Sequence, residues 1–156
     1  MNNRILGDDA DGLLRAPAGR GVDVAEPVRY RIDPSVSVVF VVLRGDVTFA
    51  DLCTAQSEIL EHPNYRAGMA LYVDCRVVTS IPQPEALRKL AIDRLLRATT
   101  MPVGKLALVA MTRLGFSFAT TLTDFLDDRA HDVGVFTTQR AAAEWIGIPP
   151  EFVQSL

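Results

Sequence analysis

Apolar and polar residues alternate strictly along Val28-Arg29-Tyr30-Arg31-Ile32-Asp33, the two-residue period of a strand with one face toward solvent. Asp33-Pro34-Ser35 follows with turn chemistry, Asp at the first position and Pro presetting φ at the second. Residues 36–43, VSVVFVVL, are then almost continuously apolar and β-branched, as suits a central strand covered on both faces. The two segments predict an antiparallel hairpin whose first strand lies at the edge of a sheet. Such an edge has to be covered, for instance by a second copy of the chain, or blunted, here by Arg29 and Arg31.

Arg44-Gly45-Asp46 is expected to break the second strand. Beyond it the period changes to that of a helix. Thr48 and Asp51 form a capping-box-like pair, and Phe49, Leu52, Cys53, Gln56, Ile59 and Leu60 fall on one helical stripe that ends at His62-Pro63-Asn64. Residues 69–73, MALYV, predict a third strand closed by Asp74. An irregular loop over 76–84, with Pro82 and Pro84, leads to a second helix whose buried face is Leu87, Leu90, Ala91, Leu95 and Ala98. Residues 105–111, KLALVAM, predict a fourth strand. A third helix is capped or begun by Ser117 and carries the stripe Phe118, Leu122, Phe125, Leu126. Residues 133–136, VGVF, predict a fifth strand. A last helix is capped by Thr137 or Thr138, bears Ala142, Trp145 and Ile146, and stops at Gly147.

The order β-β-α-β-α-β-α-β-α defines an α/β fold. It implies a five-stranded, mostly parallel sheet with an antiparallel N-terminal edge strand and four helices on its faces, joined by right-handed crossovers. In such sheets ligands gather at the carboxyl ends of the strands. That rim is expected to hold Arg44 to Thr48, Asp74 to Pro84, Met111 to Ser117 and Phe136 to Thr138.

Composition divides the chain. All the aromatic residues lie between Tyr30 and Phe152, whereas residues 1–27 have none and hold Gly7, Gly12, Gly19 and Gly21. Residues 1–27 are therefore read as a mobile leader, 28–148 as the folded domain and 149–156 as a tail. The net charge of the 156 residues is −3, which argues against a nucleic-acid partner held through phosphates. The leader carries Arg4, Arg15 and Arg20 against Asp8, Asp9, Asp11, Asp23 and Glu26, so it accounts for most of that charge and the domain is nearly neutral. No export signal is apparent, and the longest apolar run, Val38 to Leu43, is too short to span a membrane. The cytoplasm is the expected compartment, with Cys53 and Cys75 as free thiols.

Candidate chemistry is sparse. Ser117 in Gly115-Phe116-Ser117-Phe118-Ala119 stands too far beyond its strand for a nucleophile elbow. Cys75 lies between Asp74 and Arg76 at a strand end, a possible reactive thiol, while Cys53 reads as a core residue. His62 and His131 belong to no metal-ligand pattern, and Asp124, Asp127 and Asp128 lack calcium-loop spacing. No phosphate-binding glycine loop is present, so no cofactor is expected. Thr79 and Ser80 precede the second helix, where a phosphate would meet free N–H groups. That helix carries Arg88, Lys89, Arg94 and Arg97.

The hairpin, the short capped helix, VDCRVVTS after the third strand, KLALVAM, and VGVFTTQRAAAEWIG near the end together resemble the SpoIIAA-like branch of the STAS superfamily, the fold of bacterial anti-sigma-factor antagonists. The resemblance covers about residues 28–148 and implies a small, non-enzymatic cytoplasmic domain. Antagonists of that family place a kinase-modified serine at the start of the second helix. The matching stretch here, Ile81-Pro82-Gln83-Pro84-Glu85, has no hydroxyl, which argues against kinase-switched antagonism.

The leading expectation is binding of a protein partner, or of a second copy, through Arg76, Thr79, Ser80, Arg88 and the second helix. The rival is a small apolar ligand or lipid held by Met111, Leu114, Phe116 and Phe118. A lower alternative is a thiol-dependent enzyme using Cys75.

Overall fold

The computed structural model describes residues 26–90, 104–126 and 132–156, and within them the predicted α/β architecture is found. A single five-stranded sheet runs in the order β1 (Val28–Asp33), β2 (Val38–Asp46), β3 (Ala70–Ser80), β4 (Leu106–Val109), β5 (Val133–Phe136). β1 is antiparallel to β2 and every other pair is parallel. The helices are α1 (Phe49–Glu61), α2 (described over 84–90), α3 (Arg113–Leu126), α4 (Gln139–Ile146) and α5 (Glu151–Gln154).

Strand order equals chain order, so each successive crossover moves one place in the same direction. Right-handed crossovers that never reverse put their helices on one face. Accordingly α1, α2 and α3 contribute Leu52, Ile59, Leu87, Phe118 and Leu122 to one core with Val39, Val41, Leu43, Val73 and Leu108 of the sheet. The opposite face, with Val38, Phe40, Tyr72, Ala107 and Val109, is covered by Ala142, Ala143, Ile148 and Val153 of α4 and the segment after it.

Local signals place the elements. Thr48 Oγ1 accepts the Asp51 N–H and Asp51 accepts the Thr48 N–H, the reciprocal capping box expected at α1. Thr138 caps α4 by accepting the Ala141 N–H at 3.2 Å, and Gly147 ends it at φ 95°.

Several expectations are corrected. Arg44-Gly45-Asp46 does not break β2: Gly45 takes φ 63°, and pairing continues through Arg44 to Asp46. β3 likewise runs on to Ser80, so the loop predicted over 76–84 shrinks to 81–83. β2 and β3 therefore project past the end of β4 as a two-stranded ribbon. α3 starts at Arg113, where Thr112 Oγ1 accepts the Gly115 N–H at 3.1 Å, so Ser117 neither caps nor begins it. The segment read as a tail carries α5, and Val153 is fully buried. Arg31 does not blunt the edge. It is buried, lies over the Phe40 ring at 4.6 Å and donates to the Phe152 carbonyl at 3.1 Å. Ala91, Arg94, Leu95, Arg97, Ala98, the side chain of Leu126, Asp127, Asp128, His131 and residues 1–25 of the leader lie outside the described residues.

Candidate functional site

The site begins with an irregularity in β3. Val42 pairs with Asp74, but Arg44 pairs with Val77, so β3 carries one extra residue at Cys75-Arg76. A bulge of this kind re-aims a side chain. The Arg76 N–H leaves the ladder and donates to Asp74 Oδ1 at 3.1 Å. The Arg76 guanidinium folds back on the same carboxylate, Nε to Oδ1 at 2.9 Å and Nη2 to Oδ2 at 2.7 Å. Asp74 is 2% exposed, so this is a fork-to-carboxylate pair with one member buried and the other at the surface. The bond to Asp74 raises the Arg76 guanidinium above its ordinary value.

Tyr72 sits two residues earlier on the same face, wholly buried against Phe40 with ring centroids 5.8 Å apart. Its hydroxyl has the Gln139 side chain as a hydrogen-bonding neighbour, which offsets part of the rise in its pKa. Burial, then the Asp74 charge, push the phenol well above its ordinary value.

Outside this pair lies a cleft of about 310 Å³ at the carboxyl ends of β3, β4 and β5. Arg76 and Met111 form one side, Thr137 to Arg140 at the start of α4 a second, and Pro150, Val153 and Gln154 the third. α3 closes in from the other face. A Cβ on Gly115 would stand 2.7 Å from the Cys75 carbonyl oxygen, so only glycine lets the first turn of α3 approach so near.

The residues singled out from sequence are scattered by this geometry. Arg76 and Met111 share the cleft. Thr79 and Ser80 are exposed strand residues on the ribbon. Arg88 is exposed on α2 with its guanidinium 5.4 Å from the Phe125 ring, on the other face of the sheet. The proposed ligand quartet does not converge. Met111 and Phe116 are 63% and 38% exposed, Leu114 is half-buried, and Phe118 is buried in the core. Of the four, only Phe118 lines an apolar cavity of about 120 Å³ between the sheet, α1 and α3.

Cys75 is no rim thiol. It is fully buried, and desolvation followed by the Asp74 charge raises the thiol from 9.0 to about 12. At neutral pH such a group is ionised to about one part in a hundred thousand, so native Cys75 is expected to react with a maleimide or disulfide probe at least about a thousandfold more slowly than free cysteine. Because the folded value is raised, the unfolded thiol ionises first as pH climbs. Stability is then expected to fall between pH 9.0 and about 12, and Cys75→Ala should flatten part of that slope in denaturation midpoints measured across the range. Cys53 is half-buried. Among the described residues no group of three or more His, Cys, Asp or Glu is placed to hold a metal ion. No helix of the described residues is long and apolar enough to cross a membrane.

Sequence reasoning passed over Tyr72, Val77, Gln139 and Arg140. The signal for Tyr72 was present: Tyr72 and Asp74 are two apart in a strand and share a face. The others come together through tertiary register.

The fold and rim define an α/β protein with a mixed five-stranded sheet and a cleft at its carboxyl edge. Comparison with protein-family models, curated proteins and solved structures finds no match to this chain.

Proposed function

We propose that this chain is a SpoIIAA-like, STAS-like domain that acts in the cytoplasm without catalysis, by binding a second protein across the carboxyl rim of its sheet. The observation that carries this reading is where its exposed large apolar residues fall. Of Val77, Met111, Phe116 and Val135, the first three belong to the rim, at 55%, 63% and 38% exposure. Arg44, Arg76 and Arg113 stand among them in the sequence of the same segments. Methionine, aromatic residues and arginine are the types enriched in protein interfaces, and large apolar side chains left in water at one edge mark a contact surface. The partner this chemistry suits offers apolar side chains flanked by carboxylates. Asp46 on the ribbon is the acidic exception.

The ribbon supports the same reading. β3 runs past its last pair with β4 at Asp74, and there Val77, Thr79 and Ser80 are exposed. Thr79 and Ser80 thus keep a place on the contact surface, while Arg88, on the other face, lies apart from it.

The test is capture with the tagged full chain, compared with the Val77→Asp, Met111→Glu double variant and with a control substitution, Ser35→Ala, at the hairpin turn. A partner held by the wild type and the control, and weakened at least about tenfold by the double variant, is the expected result. A partner held equally by all three overturns the rim as the surface. A monomer by light scattering that captures nothing overturns the function. Self-association abolished by the double variant makes the second protein another copy of the chain.

A second reading rests on the apolar cavity under α1 and α3. At about 120 Å³ it suits a small apolar molecule rather than a whole lipid. Native mass spectrometry of the same preparation decides it: a retained small apolar mass supports this reading, and bare protein counts against it.

A further inference from the structure

We propose that a second copy of this chain pairs with the free edge of β5, joining two five-stranded sheets into one across a twofold axis. The inference does not rest on the partner-binding reading. It accounts for Val135, the exposed apolar residue that the rim leaves out.

β5 is the last strand of the sheet, and among the described residues no strand lies beyond it. Two bonds fix the direction of its backbone groups. The Asp132 carbonyl accepts the Leu106 N–H at 2.8 Å, and the Phe136 carbonyl accepts the Ala110 N–H at 2.9 Å. Successive strand residues turn their N–H and C=O groups to opposite sides. Gly134 therefore faces β4 as well, while Val133 and Val135 turn both groups outward. Among the described residues nothing bonds to these outward groups. Natural edges are blunted by lysine, proline, an inward charge or a bulge. Val133-Gly134-Val135-Phe136 has no such side chain, and its pairing with β4 runs without a register shift.

This edge is complementary to itself. Two copies of β5 can run antiparallel with their Gly134 residues opposite each other. Val133 of each copy then faces Val135 of the other. Outward-facing residues meet as hydrogen-bonded pairs, and each pair exchanges two main-chain bonds. A twofold axis normal to the sheet leaves its faces in place. Val133 packs on the core under α3, and Val135, two residues on, shares that face. The valines of both copies thus meet there as β-branched cross-strand pairs, and Val135, 37% exposed in the single chain, is covered. On the other face the Phe136 ring fills the place of a side chain at Gly134, 2.6 Å from where a Cβ would stand, with Trp145 beside it. The two glycines form the closest backbone approach of the pairing, so these rings from both copies border one seam.

Charge selects the antiparallel sense. Asp132 is exposed just before β5, and Arg140 is exposed in the first turn of α4 just after it. Antiparallel pairing sets Asp132 of each copy toward the α4 start of the other, opposite charge toward opposite charge. Parallel pairing would set like against like. With one short strand from each copy, the expected dissociation constant is on the order of 100 micromolar.

The experiment is sedimentation equilibrium of the full chain from about 10 micromolar to about 1 millimolar, with amide hydrogen exchange at both ends of the range. Expected is a dimer that grows with concentration. Exchange at Val133 and Val135 should slow at least about tenfold at the upper end, with Gly134 unchanged because its N–H already serves β4. Val135→Lys adds a charge at an exposed position, and Val135→Pro removes an N–H that is unbonded in the single chain, so both are expected to keep the wild-type circular dichroism. Each should weaken the dimer at least about tenfold. The Val77→Asp, Met111→Glu variant should leave it intact. A chain that stays monomeric across the range overturns the proposal. So does a dimer that both Val135 variants form as well as the wild type. A dimer lost in the rim variant and kept in the Val135 variants overturns it as well, and makes the rim the self-contact.

Discussion

Replacing Phe40 by alanine is expected to lower the unfolding free energy by about 3–5 kcal/mol, the range for removing a buried aromatic ring from a packed core. Phe40 is fully buried on the interior strand β2, against Tyr72. The ring is also the platform for Arg31, whose guanidinium lies 4.6 Å from its centroid and donates to the Phe152 carbonyl. Loss of the ring leaves a void next to a buried cation and loosens the grip of that cation on α5. The loss belongs toward the upper part of the range for that reason. Denaturant midpoints with an unchanged slope measure it. Phe116→Ala is the matched comparison: a phenylalanine on an exposed helix position is expected to change stability by no more than about 0.5 kcal/mol. If the two substitutions cost the same, the burial assigned to Phe40 is wrong.

Removing Arg76 is expected to cost more than removing Asp74, although the two form one pair. Arg76→Ala leaves a carboxylate that is 2% exposed and has lost both guanidinium bonds, keeping only the backbone N–H of position 76. Breaking a buried pair in this way typically costs about 3–5 kcal/mol. The Arg76 side chain is 28% exposed, so water reaches the vacated position and the expected loss is about 2–3 kcal/mol. Asp74→Leu leaves a guanidinium free to swing into the cleft, and about 1 kcal/mol is expected. The double variant Arg76→Ala, Asp74→Leu is expected to recover most of the stability lost in Arg76→Ala, since no carboxylate then remains buried at position 74. Additive losses in that cycle would show that the pair contributes through packing alone.

How much of this was legible depends on how local each signal is. The alternation of Val28, Tyr30 and Ile32, the Thr48–Asp51 capping box and the Gly147 stop act within a few residues, and the structure contains all three. Arg31 defeats the same reasoning. Its place in an alternating strand reads as a wet face, but that face is covered by Phe152, some 120 positions away. The lengths of β2 and β3 were hidden for a different reason. Gly45 and Asp74 read as stops, yet Gly45 bends through positive φ within the strand and Asp74 anchors a bulge within the next. The side on which the helices pack depends on strand order, which no local pattern records. At the site, Arg76 and Met111 were visible because strand ends are natural candidates. Thr138 was visible only as a cap. Gln139 and Arg140 joined the cleft only when β3 and α4 were brought side by side.

The one-sided crossovers carry a consequence for how the chain is made. Residues that close the first core are translated in step with the strands they cover. Those that close the second, Ala142, Ala143, Ile148 and Val153, follow all five strands in the sequence. Until they leave the ribosome, Phe40, Tyr72 and Val109 have no cover, and Arg31 has no carbonyl to hold it. The nascent chain therefore carries an open apolar wall from the synthesis of β2 until α4 and the segment after it emerge, the state in which a holding chaperone has most to bind.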